Sequence, residues 1–375
     1  MNQNNVSKAE IQGIFACGAN SYLERFPANK QQRKAIYSIV NCRGPRLGKH
    51  IDKCDQCGHL EISYNSCRNR HCPKCQQSKQ LEWVSQLKAS LPPVRYFHLV
   101  FTLPHELNEL VYKHQRDIYP LLFKASAQTI LQVASKPGFL GARTGCLSIL
   151  HTWGQNLQYH PHIHMLVPAG GLSEDNMEWI HSGKKFFSPV KVLSRVFRGK
   201  FCSMLEGLMA NGKIQTDLPT LKAELYKRDW VVYVKKPFAG PTQIINYLGR
   251  YTHRIAISNS RILSHQNDKV SFRWKDYRNK AYWKTMQLDT LEFMRRFLLH
   301  VLPCNFYKIR YYGILALAYR SQILMQCQAS IQLQEYKSSI PEIYCEAAPE
   351  FLSRKCPNCR VGTLRFLKLL MPGAG

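Results

Sequence analysis

The chain reads as an α+β protein, and three features of its 375 residues lead there. Stretches with apolar residues at helical spacing alternate with short aromatic and β-branched runs. Two of those runs, CLSILHTWG and HPHIHMLVPAGGL, flank a turn through Asn156–Tyr159 and read as a hairpin. Six cysteines crowd into residues 42–75, with two C-x-x-C pairs, which marks a small metal-binding module near the start.

Taken in order, residues 6–40 predict two helices, AEIQGIFACGANSYLERF and, after Pro27, QQRKAIYSIV. The cysteine-rich module follows over about 41–80. A helix, QLEWVSQLKASL, leads through Pro92-Pro93 into RYFHLVFTLP, a buried strand by its aromatic and branched content. Helical periodicity then runs to about Ala134, and the hairpin follows from Cys146. Residues 188–225 are helical again, WVVYVKKP is a strand, and Pro241 opens a helix, PTQIINYLGRYTH. Three short runs, RIAIS, VSFRWKDY and WKTMQL, read as strands before the helix LDTLEFMRRFLLHVL. These elements divide the chain into a helical and zinc-binding part (1–80), a larger domain (81–315) and a tail (316–375) whose CPNC is half a metal knuckle.

Lys and Arg total 52 against 24 Asp and Glu, a formal charge of +28. With 45% apolar and 11% aromatic residues, this is no disordered basic tail. A surface so positive meets a polyanion, nucleic acid ahead of acidic lipid. The start, MNQNNVSKAE, lacks the apolar core of a signal peptide, and the apolar stretch around Gly313–Tyr319 is too short to span a bilayer. The expectation is a cytoplasmic, nucleoid-associated protein with no membrane partner. Paired knuckles without a signal peptide read as metal sites in a reducing compartment rather than as disulfides. The single Cys17, Cys146, Cys202, Cys304, Cys327 and Cys345 read as small packing residues.

Cys54 and Cys57 of KCDQCGH, with Cys72 and Cys75 of HCPKC, supply four thiolates for one structural Zn²⁺. Cys42, His50, Cys67 and His71 can build a second site beside the first, or His71 and Cys67 simply pack against it. Arg68, Arg70 and Lys74 surround these ligands and point to DNA phosphates. In HPHIHMLV, His162 and His164 are two apart, so a strand places both on one face, where they can share a divalent ion. In INYLGRYTHR, Tyr247 and Tyr251 are i and i+4 on one helix face, beside the basic Arg250, His253 and Arg254. Such a pair is either half-buried aromatic packing or two nucleophiles that attack a metal-polarised phosphate.

HPHIH resembles the HUH motif of rolling-circle nucleases, and YLGRYTHR resembles the two-tyrosine motif of the IS91 family of insertion-sequence transposases. SYNSCRNRHCPKCQ is similar to that family's zinc-module signature, and VFTLPHEL, LHTWGQNLQYHPHIH and KIRYYGILA follow in the family's order, over residues 15–315. The resemblance implies an HUH endonuclease-type antiparallel sheet flanked by helices, preceded by a small zinc-binding domain. It implies rolling-circle transposition, in which Tyr247 and Tyr251 cleave single-stranded DNA to leave 5′-phosphotyrosine and a free 3′-hydroxyl. His162 and His164 would hold Mg²⁺ or Mn²⁺, with Gln155 as third ligand and His151 as the alternative. The DNA partners would be single-stranded transposon ends and the target, with no small-molecule cofactor. The same nicking chemistry also serves plasmid-type replication initiators and relaxases, whereas a non-catalytic zinc-finger binder needs neither the His pair nor the tyrosine pair. Three-carboxylate transposition is disfavoured, because the nine Asp form no convincing cluster.

Overall fold

The computed structural model describes residues 9–88, 91–183, 185–238, 255–277, 281–316 and 354–371, with positions 325 and 329. The chain begins with two helices, α1 (Ile11–Arg25) and α2 (Lys30–Val40). Asn29 starts α2 through a reciprocal cap. Its side chain accepts from the N–H groups of Gln31 and Gln32, and the Gln32 side chain accepts from the Asn29 N–H at 2.9 Å. A hairpin of β1 (Lys49–Cys54) and β2 (Leu60–Tyr64) follows, and α3 (Pro73–Lys88) leads away from it.

Next come β3 (Tyr96–Thr102), α4 (Asn108–Lys113), α5 (Gln115–Ser135), β4 (Gly145–Trp153) and β5 (Tyr159–Pro168). A small pair, β6 (Gly170–Leu172) and β7 (Trp179–His181), then α6 (Val190–Ala210), α7 (Leu218–Tyr226) and β8 (Val232–Phe238) complete this part. Beyond it lie β9 (Ile262–Gln266), β10 (Lys269–Asp276), β11 (Tyr282–Asp289), α8 (Thr290–Leu298), β12 (Ile309–Gly313) and β13 (Leu364–Leu370).

Five strands form the central sheet in the order β12-β4-β5-β3-β8, every neighbouring pair antiparallel, so β5 is its middle strand. Strand alternation decides which face is which. Phe97, Leu99 and Phe101 of β3 and Ile163, Met165 and Val167 of β5 enter one core with Ile118, Leu122, Phe123 and Ile130 of α5 and Phe197 and Phe201 of α6. Each such fully buried side chain contributes roughly 1.5–3 kcal/mol, so the helix-covered face cannot slip by one residue. The intervening residues of the same strands face the other way. Leu147, Ile149 and Leu166 there pack against Leu87 and Leu91, leaving the histidines grouped further along.

The α+β class and the antiparallel sheet agree with the sequence. One element does not. RIAIS, expected as a strand, is buried at Ile255, Ala256 and Ile257 without joining a sheet; the strand in this stretch is β9, paired with β10. These three residues share a second core with α1, α2, α8 and Cys72, so their apolarity records burial and not pairing. The other departure is larger. β13, near the end of the chain, pairs antiparallel with β1 and makes the N-terminal hairpin a three-stranded sheet. No helix among the described residues is long and apolar enough to cross a membrane.

Candidate active site and metal centres

The hairpin β1–β2 sorts the cysteines into two clusters. Cys54 ends β1, and Cys57 lies in the turn beyond it; the chain then returns along β2 and delivers Cys67, Cys72 and Cys75 to the opposite end, where Cys42 precedes β1. A strand of five or six residues is roughly 17–20 Å long, far too great a span for one ion. The four-thiolate site expected from Cys54, Cys57, Cys72 and Cys75 is therefore not what the fold assembles. Cys42, Cys67, Cys72 and Cys75 converge instead, and Cys54 and Cys57 meet Cys356 and Cys359 of the tail.

Sulfur separations in both clusters fit a shared ion. Cys75 Sγ stands 3.5 Å from Cys42 Sγ and 3.6 Å from Cys67 Sγ; Cys54–Cys359 is 3.7 Å and Cys57–Cys356 3.6 Å. Thiolates ~2.3 Å from a tetrahedral zinc lie about 3.8 Å apart, whereas a disulfide would bring sulfurs to about 2.05 Å. Backbone N–H groups of Gln56 and Cys57 point at Cys54 Sγ, and that of Gly362 points at Cys359 Sγ and favours its thiolate. The His59 N–H draws Cys57 down to about 6, while burial pushes Cys356 up to about 11. Structural zinc suits both donor sets.

His50 and His71, considered as ligands of a second site, belong to neither cluster. His50 Nδ1 is 2.8 Å from Asn65 Oδ1, and its Nε2 faces Asp52. His71 Nε2 accepts from the Leu302 N–H at 3.4 Å, in an enclosure that pushes its pKa down to about 3. Gly362 matters to the tail cluster because a β-carbon there would lie 2.4 Å from Cys54 Sγ. Gly362→Ala is expected to cost the protein one bound zinc, measured by metal analysis after gel filtration, with the other ion retained.

The central sheet supplies a third cluster. Antiparallel register sets His151 of β4 directly opposite His162 of β5, and His164 lies two residues along on the same face. One ring nitrogen from each of the three falls within 4.8 Å of the others. His162 Nδ1 is 2.7 Å from the His160 carbonyl, which can only accept, so Nδ1 carries the proton and Nε2 presents a lone pair. That Nε2 stands 3.2 Å from His164 Nε2. Two nitrogens each about 2.1 Å from one ion are roughly 3.0–3.4 Å apart, so the spacing fits a shared metal. Burial pushes His162 down to about 3, keeping it neutral and able to ligate. His98 of β3 stands behind, its Nε2 2.9 Å from His164 Nδ1, and orients that ring. Sequence reasoning passed over His98, whose only signal is one imidazole inside an apolar strand.

The hairpin register also moves the third-ligand position. Gly154–Gln158 form the turn, so the residue facing His162 is His151, eleven positions earlier, and not Gln155. The Gln155 carbonyl instead accepts from Arg261 Nη2 at 2.5 Å, and the residue lines a groove of about 890 Å³ at the hairpin tip. Other late elements hold the same turn: His300 Nε2 lies 3.1 Å from the Leu157 carbonyl and its Nδ1 3.2 Å from Thr152 Oγ1. Two clamps on the five-residue turn and one on the end of β4 hold the β4 and β5 histidines in register.

Of the basic residues assigned to phosphates, Arg68 is exposed, but Arg70 and Lys74 are engaged within the protein. Arg70 donates to the carbonyls of Pro303 and Phe306, and Lys74 pairs with Glu10 at 2.8 Å and Gln12 at 2.6 Å. Tyr247, Tyr251, Arg250, His253 and Arg254 lie outside the described residues. Their flanks are Phe238, opposite Tyr96 on β3, and Ile255, in the core cluster that also packs Trp153.

Residues 14–103 match the family described as "Transposase zinc-binding domain", and residues 145–322 the family described as "Putative transposase". The chain is 43% identical to the "Putative transposase y4qJ" of Sinorhizobium fredii, over 96% of its own length and 94% of the relative's. It is 29% identical to the transposase for insertion sequence element IS801 of Pseudomonas savastanoi pv. phaseolicola, over 74% of its length and 67% of the relative's. No solved structure matches the chain.

Proposed function

The chain belongs to the IS91 family of transposases, enzymes acting on DNA, and from that premise we propose that it nicks and rejoins single-stranded DNA at insertion-sequence ends through 5′-phosphotyrosine. The observation that carries the reading is the convergence of His151, His162 and His164 on the middle strands of the sheet. A protein that bound DNA passively would have no use for three imidazoles converging on one face. A divalent ion held by them would polarise the scissile phosphate and offset the charge an incoming oxygen meets. Three nitrogen donors suit Mn²⁺ better than Mg²⁺, which prefers oxygen.

Around that centre the chain supplies position and protonation. The His160 carbonyl holds His162 in one tautomer, and His98 holds the plane of His164. A tyrosine hydroxyl, from Tyr247 or Tyr251, forms the new P–O bond while the bond to the 3′ oxygen breaks. The phenolic proton is lost and the 3′ oxygen gains one. Rejoining reverses the step with a 3′-hydroxyl as nucleophile, so the phosphodiester energy stays in the adduct and no nucleotide cofactor is required. The catalytic part would lie in residues 81–315.

A labelled single-stranded oligonucleotide carrying an insertion-sequence end, incubated with protein and Mn²⁺, should run as a covalent adduct on a denaturing gel. Tyr247→Phe and Tyr251→Phe should each keep part of it, and the double variant none. Adducts from the double variant would place the nucleophile elsewhere and end this reading.

A further inference from the structure

The zinc module carries arginines in a conformation that their side chains disfavour. Arg43 and Arg68 have φ of 56° and 51°, and each directly follows a cysteine of the first cluster, Cys42 or Cys67. The corresponding positions of the tail cluster, after Cys57 and Cys359, are Gly58 at 71° and Arg360 at 58°. A left-handed residue after a ligand turns the chain around the metal, and glycine does this without steric cost. One of the four positions is glycine, and three are arginine. An arginine kept where glycine is easier points to work done by the side chain.

Arg43 and Arg68 are exposed, and neither guanidinium makes an ion pair or side-chain hydrogen bond with another described residue. Both line a groove of about 930 Å³ whose other wall comes from the tail, through Arg354 and Phe366. Asp52 lines it too, held by Arg354 at 3.2 Å and facing His50 at 3.6 Å, so it leaves the other two arginines uncompensated. Phe366, opposite Asp52 in the β1–β13 register and so on the same face as His50, is 65% exposed in this groove. We propose that this groove binds single-stranded DNA, with phosphates on Arg43, Arg68 and Arg354 and a base stacked on Phe366. An exposed ring face beside guanidinium groups matches a strand whose base faces are free, whereas a duplex hides them. The groove exists only when the tail is docked, so the four cysteines Cys54, Cys57, Cys356 and Cys359 assemble it.

The proposal rests on the family's DNA substrate and not on the tyrosine chemistry. It is tested on full-length protein by fluorescence anisotropy with labelled oligothymidine, without Mn²⁺, across a salt series. Arg43→Gly and Arg68→Gly should each weaken binding about fourfold at 0.15 M salt and lower the salt slope by about 0.7. Zinc content should stay the same and the melting temperature should not fall, because glycine relieves the backbone. Arg43→Asn and Arg68→Asn, which tolerate the same φ, should behave alike and serve if a glycine variant is poorly folded. Phe366→Ala should weaken binding roughly 5–150-fold with the slope unchanged. Wild-type affinity and slope in the arginine variants would overturn the proposal, as would losses seen only with a duplex probe. Loss of the covalent adduct with intact oligothymidine binding would count against the tyrosine reading alone.

Discussion

His162→Ala and His164→Ala will each lower oligonucleotide cleavage by about a thousandfold or more, with DNA affinity changed less than about twofold. The first figure follows from several kcal/mol of charge stabilisation at the phosphate, at about 1.4 kcal/mol per decade of rate. The second follows because affinity comes from Lys and Arg meeting phosphates. His151→Ala belongs with these two, since it faces His162 across the β4–β5 ladder. Gln155→Ala should fall within about threefold of wild type, because that residue is in the turn and its carbonyl, not its side chain, is the group Arg261 holds. His98→Ala should sit between: it touches only a ligand, so it should raise the Mn²⁺ needed by about 10–100-fold and recover rate at saturating metal. Single-turnover cleavage over a Mn²⁺ titration separates the three classes. A wild-type rate in His162→Ala would remove the metal centre from the mechanism.

Pairing of the zinc ligands will show in which substitutions remove the same ion. Wild-type protein should carry two zinc ions per chain. Cys54→Ser and Cys356→Ser should each leave one, and the double variant should also leave one, because both cysteines serve the same cluster. Cys42→Ser and Cys75→Ser should remove the other. Losing the tail cluster also releases β13, and the cross-link it breaks joins residues 299 and 305 positions apart. In the chain-entropy treatment of such a closure, that is worth about 5–6 kcal/mol. Trypsin should then cut at Arg354 and Lys355 under conditions where wild type resists. Were Cys54→Ser and Cys72→Ser to remove one and the same ion, the pairing along the sequence would hold and the one across the fold would not.

Local pattern carried much of this fold. The aromatic and branched run at Tyr96–Thr102, the paired runs of β4 and β5, and the spaced apolar residues of α8 each specify their own element, since what they encode is local burial. His162 and His164 were legible for the same reason, their shared face being a property of any strand. What local pattern does not contain is register and return. His151 faces His162 only because five residues form the turn, and Cys54 lies away from Cys72 only because a hairpin separates them. Metal ligands show this most plainly. C-x-x-C fixes two ligands of a site by adjacency, but the other pair is chosen by topology, and here it comes from the far end of the chain.

That far partner has a consequence in time. A ribosome adds about 5–20 residues per second, so Cys356 emerges roughly 15–60 s after Cys57. For nearly all of that interval the nascent chain holds a complete set for the first cluster, Cys42, Cys67, Cys72 and Cys75, together with an orphan pair at Cys54 and Cys57. Zinc arriving early meets a choice between the native set and the sequence-adjacent set of Cys54, Cys57, Cys72 and Cys75. The hairpin β1–β2 decides between them by keeping its two ends apart. Its prompt formation protects the orphan pair until the tail arrives, and a chain released before residue 356 is left with a groove that has one wall.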